Sequence, residues 1–152
     1  MKKETIKKST GWFSKPIITD YYITTDGKKF TIEKEAIDWE WYLDNKEMVF
    51  KKYQFTEVSP YTLGLSFISN LLFSYKFHIE NYSKEIENEI SLYLKGLLKE
   101  HGNYNSKENI ETIVKNHVKN KIDGWYVVVL NDHFGLLEIH SLNDLVTKIE
   151  ND

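Results

Sequence analysis

With 152 residues, no cysteine and a formal net charge of −3, the sequence has the size of one ordinary domain, and it excludes disulfide staples, thiolate metal sites and cysteine nucleophiles. Its 41% hydrophobic, 14% aromatic and 28% charged residues are too apolar for intrinsic disorder and too charged for a membrane-embedded chain. All 20 basic residues are lysine, and the lack of arginine's rigid bidentate fork counts against sequence-specific DNA reading.

Residues 1–15 carry Lys2, Lys3, Lys7, Lys8 and Lys15 against Glu4, a local charge of 5 − 1 = +4. They read as a basic flexible tail anchored by Trp12 and Phe13, followed by a single α+β domain over 16–152. The basic start is not followed by the apolar segment of a secretion signal, so a cytoplasmic chain without membrane attachment is expected. Ile17 to Thr25 alternates as a strand, Asp26-Gly27 supplies a tight turn, and Lys28-Lys29-Phe30 begins the return. Thr31 suits an N-cap for a helix through about Glu47, with Glu33 and Glu35 in the first turns, where the helix dipole favours negative charge. Met48 to Phe55 reads as a third strand.

Ser59-Pro60 is a strong helix start, and Leu63, Phe67, Ile68, Leu71, Leu72 and Tyr75 keep helical spacing up to about Phe77. A second central helix follows Ser83, with Ile86, Ile90, Tyr93, Leu94 and Leu97 on one stripe and Gly102 near its end. A third follows Ser106 and turns Ile110, Ile113, Val114, His117 and Val118 inward. Trp125 to Leu130 is apolar on both faces, as a central strand should be. Asn131 to Gly135 turns, Leu136 to His140 returns, and Ser141 to Asp144 resembles a capping box for a short terminal helix. The expected fold is α+β: two β-hairpin-plus-helix units, one at each end, flanking a three-helix central insert, with a single mixed or antiparallel sheet.

No phosphate loop, dinucleotide fingerprint, nucleophile elbow or HExxH occurs. No catalytic residue and no cofactor are therefore assigned. Asp132, His133, Glu138 and His140 cluster around the last hairpin and are weak metal-ligand candidates, since their spacing lacks the specificity of a zincin helix; a polar turn and a solvated strand face explain them as well. The most informative feature is the helix over 33–47. At 100° per residue, Glu33, Glu40, Asp44 and Glu47 fall within a sector of about 60°, Ile32, Ala36, Trp39 and Leu43 form a core face on one side, and Ile37, Trp41 and Met48 flank the other. Glu33, Glu40, Trp41, Asp44 and Glu47 are thus the candidate partner-binding residues, an acidic row with an aromatic anchor suited to a basic, nucleic-acid-binding protein.

Thr25-Asp26-Gly27-Lys28-Lys29-Phe30, followed by Glu35-Ala36 and Trp39-Glu40, resembles a pattern in small phage and prophage proteins of low-GC bacteria, over about residues 20–45. The resemblance implies a mobile-element setting, in which small acidic α+β proteins act as anti-CRISPR or other anti-defence inhibitors. It points to a non-enzymatic inhibitor that blocks a host defence nuclease, a CRISPR effector being one such partner. An immunity protein that neutralises a toxin, and a small metal-dependent hydrolase or nuclease using the C-terminal hairpin, remain as alternatives.

Overall fold

A computed structural model describes residues 1–12, 14–58, 71–101, 110–118, 123–131 and 136–142. The protein is α+β, with three helices and two antiparallel sheets among the described residues, one of three strands and one of four. The single sheet expected from sequence is therefore two. The chain divides into two compact units, Met1–Asn45 and Lys46–Asp152. The boundary falls inside a continuous helix, and for that reason no Pro/Gly/Ser-rich linker marks it.

In the first unit, β1 (Lys2–Lys8) pairs with β2 (Ile17–Ile23) over seven residues, from Lys2↔Ile23 to Lys8↔Ile17. The stretch read as a flexible tail thus contains a strand. Its lysines mask the pattern because β1 is exposed at six of its seven positions. The two-residue β3 (Lys29–Phe30) completes the sheet in the order β1-β2-β3. Thr24 to Lys28 turn the chain: the Gly27 amide donates to the Thr24 carbonyl at 2.9 Å and the Thr24 amide to the Lys28 carbonyl at 3.0 Å. Gly27, at φ +86°, takes the left-handed position of this turn alone, without Asp26.

Helix α1 (Glu33–Lys52) is longer than its sequence signals. Its first helical bond runs from the Ala36 amide to the Ile32 carbonyl, so Ile32 occupies the cap and is exposed instead of forming part of the core face. Ala36, Trp39 and Tyr42 are buried, with Trp39 packed against Phe30 and Tyr42 at centroid distances of 6.5 and 5.4 Å.

The helix continues through Val49 to Lys52 where a strand was expected over Met48 to Phe55. Val49 and Tyr53, four apart, are both buried, which is helical and not alternating spacing. Its end is a Schellman motif: the Phe55 amide donates to the Phe50 carbonyl at 3.0 Å, the Gln54 amide to Lys51 at 3.2 Å, and Gln54 sits at φ +52°. Phe50 and Phe55 stack across it at 6.3 Å, the apolar contact that accompanies such a terminus.

The second unit holds the sheet β4-β5-β6-β7, formed by β4 (Thr56–Glu57), β5 (Leu71–Ile79), β6 (Gly124–Asn131) and β7 (Leu136–Ser141). β5 overturns the expectation of a helix up to Phe77. Tyr75, Phe77 and Ile79 alternate with Ser74, Lys76 and His78; Phe77 and Ile79 are fully buried, and β4 and β6 satisfy the backbone on both sides. Residues 59–70 of that expected helix lie outside the described residues. The central insert accordingly contains two described helices, α2 (Lys84–Glu100) and α3 (Ile110–Val118).

The Ser83 hydroxyl caps α2 by accepting from the Ile86 amide at 3.3 Å. Ile90, Tyr93, Leu94, Leu97 and Leu98 of α2, with Ile110, Ile113, Val114 and Val118 of α3, form a continuous apolar core. Phe55, Phe77 and Tyr126 stack through it at 5.0 and 5.6 Å, and Tyr93 lies tilted against Phe55 at 4.6 Å. His117, expected inward, is exposed, and its Nδ1 lies 2.9 Å from the Ile113 carbonyl. β6 lies between β5 and β7 with Val127, Val128 and Val129 all buried, as its two apolar faces require. The expected capping box and terminal helix after Ser141 lie outside the described residues apart from Leu142. No helix among the described residues is long and apolar enough to cross a membrane.

Candidate functional site

The acidic row on α1 divides between two roles. Glu33 and Asp44 are exposed, and Trp41 is half-buried, its carbonyl accepting from Asn45 Nδ2 at 2.7 Å. Ile37, expected beside the row, is 51% exposed. At 100° per residue, Glu33, Asp44, Ile37 and Trp41 lie within about 80° of one another. Along the helix axis Ile37 and Trp41 both lie between the two carboxylates, which stand about 16 Å apart. Glu47 is exposed as well but belongs to the second unit, as does exposed Met48.

Glu40 does not belong to the free row. Its carboxylate accepts from the Thr25 amide at 2.7 Å and from the Thr25 hydroxyl, and the Met1 amino group lies 3.5 Å away. The Thr25 hydroxyl, then its amide and the amino terminus, outweigh partial burial and hold the Glu40 carboxyl below its ordinary pKa. The neighbouring Asp26 works from the turn back to the helix. It accepts from Trp39 Nε1 at 3.0 Å and from the Thr24 hydroxyl at 2.6 Å, while Lys28 Nζ lies 4.1 Å above the Trp39 ring. Burial pushes the Asp26 carboxyl up, but the hydrogen bonds from Thr24 and Trp39 prevail and leave its pKa lowered. These residues form a polar clamp that fixes the turn after β2 to the first half of α1. The Asp-Gly and Trp-Glu pairs stand in plain view in the sequence; their mutual contact, 13 to 15 residues apart, does not.

The metal candidates separate differently. Glu138 and His140, two apart on β7, share a face, with His140 Nε2 at 3.0 Å from Glu138 Oε2. Asp132 and His133 lie outside the described residues. Among the described residues no group of three or more His, Asp or Glu is placed to hold a metal ion. His78 is half-buried on β5, against Trp125 at 4.7 Å.

Sequence reading missed two carboxylate arrangements in the second unit, one buried and one half-buried. Glu87, only 4% exposed, accepts from the Tyr82 hydroxyl and the Lys84 ammonium; burial raises its pKa, and those two partners reverse the shift so that it ends lowered. Glu89 accepts from the Tyr53 hydroxyl and from Lys52 Nζ at 2.9 Å. Burial, then Glu89, pushes the Tyr53 hydroxyl far above its ordinary pKa. These groups are structural ties, each carboxylate satisfied by a phenol and an ammonium. Comparison with family models, with curated proteins and with solved structures finds no match for the chain.

Proposed function

We propose that the chain is a non-enzymatic, protein-binding inhibitor from a phage or other mobile element that occludes the nucleic-acid surface of a host defence nuclease, as anti-CRISPR proteins do. The observation that carries this reading is the exposed face of α1 in the first unit, where Glu33 and Asp44 bracket Ile37 beside Trp41. An aliphatic side chain more than half exposed between two carboxylates suits a groove that normally receives a polyanion: the carboxylates stand where phosphates would, and Ile37 and Trp41 supply the desolvated centre that gives an interface most of its energy. Glu40 supports that face from behind by holding the helix to the turn.

The test is binding to a purified CRISPR effector nuclease, with and without its guide, by the wild-type chain and by an Ile37→Ser, Asp44→Lys double variant. Loss of the bracketed centre should weaken binding about tenfold or more, with an unchanged circular dichroism spectrum. Glu40 is left intact because replacing it would disturb the clamp. Equal affinity of the two proteins for an effector would remove this face from the interface.

A further inference from the structure

The far end of the β1–β2 hairpin has a character opposite to that of α1. Its last three pairs are Ile6↔Thr19, Lys7↔Ile18 and Lys8↔Ile17. Directly paired residues share a face, so Lys7 and Ile18 lie on one side and Ile6, Lys8 and Ile17 on the other. All five are exposed: Ile6 by 45%, Ile17 by 55% and Ile18 by 63%. In the connecting residues Trp12 is 99% exposed, and Lys15 is exposed as well. Residues 5–19 contain Lys7, Lys8 and Lys15 and no acidic side chain. The cations nearer the base of the sheet are engaged: Lys3 with Asp20 at 2.9 Å and Lys2 with Glu4 at 3.3 Å.

We infer that this hairpin end is a membrane-surface anchor that inserts Trp12 and its flanking isoleucines into the headgroup region of a bilayer rich in anionic phospholipid. Three features select that occupant. The apolar side chains project from both faces of the ribbon, which suits a medium that surrounds the tip better than a protein surface that covers one side. Three residue pairs of a strand span about 10 Å, comparable to the depth of the headgroup and upper acyl zone that interfacial segments occupy. Tryptophan favours that zone, and unpaired lysines are drawn to the negative surface potential beneath it, each adding about fivefold to partitioning. A single-stranded nucleic acid would use the same charge and stack one base on Trp12, but the isoleucines on both faces of the ribbon offer further bases no stacking surface. The inference is independent of the reading of α1, and it replaces the expectation, drawn from the missing apolar leader, of a chain without membrane attachment.

Flotation of the full chain with vesicles tests it. The wild type should float with equimolar phosphatidylglycerol and phosphatidylcholine and remain at the bottom with phosphatidylcholine alone. Lys7→Glu with Lys8→Glu should reduce partitioning by about 25-fold or more, and Trp12→Ser should reduce it severalfold, both with unchanged thermal unfolding. Tryptophan emission should shift to the blue on vesicle addition, and the shift should vanish in Trp12→Ser. An Ile37→Ser, Asp44→Lys variant should float like the wild type, which separates this surface from that on α1. Absence of flotation, equal flotation with both vesicle types, flotation unaffected by the hairpin substitutions, or tight binding to an oligothymidylate in place of vesicles would each overturn the inference.

Discussion

The two units reach order by different means. In the first, the buried apolar side chains among the described residues are Phe30, Ala36, Trp39 and Tyr42, and the sheet is tied to the helix through the polar clamp of Thr24, Thr25, Asp26, Trp39 and Glu40. In the second, a stack of aromatic and aliphatic side chains runs from β5 and β6 into α2 and α3, and its buried carboxylate, Glu87, is satisfied at the margin. The contrast teaches that a small unit with little to bury can borrow specificity from hydrogen bonds, whose geometry is exacting but whose net energy is modest. The larger unit relies on area removed from water.

Emptying each centre in turn should destabilise one unit at a time. Phe77→Ala in the second unit should cost about 3–5 kcal/mol in denaturant unfolding and accelerate amide exchange throughout that unit. Asp26→Ala in the first should cost less, about 1–3 kcal/mol, with faster exchange confined to residues 17–45. If either variant loosens both units equally, their separate dependence is disproved.

The pH dependence sharpens the contrast at its alkaline end. Burial, aided by Glu89 for Tyr53 and by Glu87 for Tyr82, raises the pKa of Tyr53, Tyr82 and Tyr93, the latter two to about 12. A raised folded pKa contributes stability that is complete below the ordinary tyrosine value near 10 and is lost as pH climbs through the folded values. The second unit should therefore open first in alkali, read by exchange of β5 and α2 amides or by phenolate absorbance. At the acid end, Asp26, Glu40 and Glu87 all have lowered pKa values, so their contributions are present above the ordinary carboxylate range and fade as pH falls below it. Glu40→Gln should flatten that acid response for the first unit only.

The smallest effect concerns the end of α1. Gln54 adopts a left-handed conformation there at a cost of about 1 kcal/mol relative to glycine, so Gln54→Gly should raise stability by about that amount. A decrease would show that the Gln54 side chain contributes more than its backbone costs.

Much of the second unit was legible because its signals are local. The stripe of α2, its Ser83 cap and the doubly apolar β6 each follow from spacing within one element. The end of α1 is not, since a Schellman terminus normally advertises itself with glycine and here carries Gln54, so that Met48 to Phe55 reads as a strand. β5 reads as helix because Leu71, Leu72 and Tyr75 fit helical spacing too, although the alternation from Ser74 to Ile79 favours a strand. The candidate site was legible in part: exposure of Glu33 and Asp44 followed from helical phase, whereas the engagement of Glu40 by Thr25 depends on a contact no periodicity encodes. For the same reason Glu87 escaped notice, since burial of a carboxylate is affordable only through partners that spacing alone does not reveal.

β1 lies at the rim of its sheet. A border strand with unpaired backbone groups invites another copy to add itself, and repeated addition builds filaments. An antiparallel neighbour of identical sequence would set lysine against lysine along Lys2, Lys3, Lys7 and Lys8, a repulsion that discourages polymerisation. The ammonium groups thus act as a guard on solubility, and chemical acetylation of these side chains should be followed by self-association in light scattering.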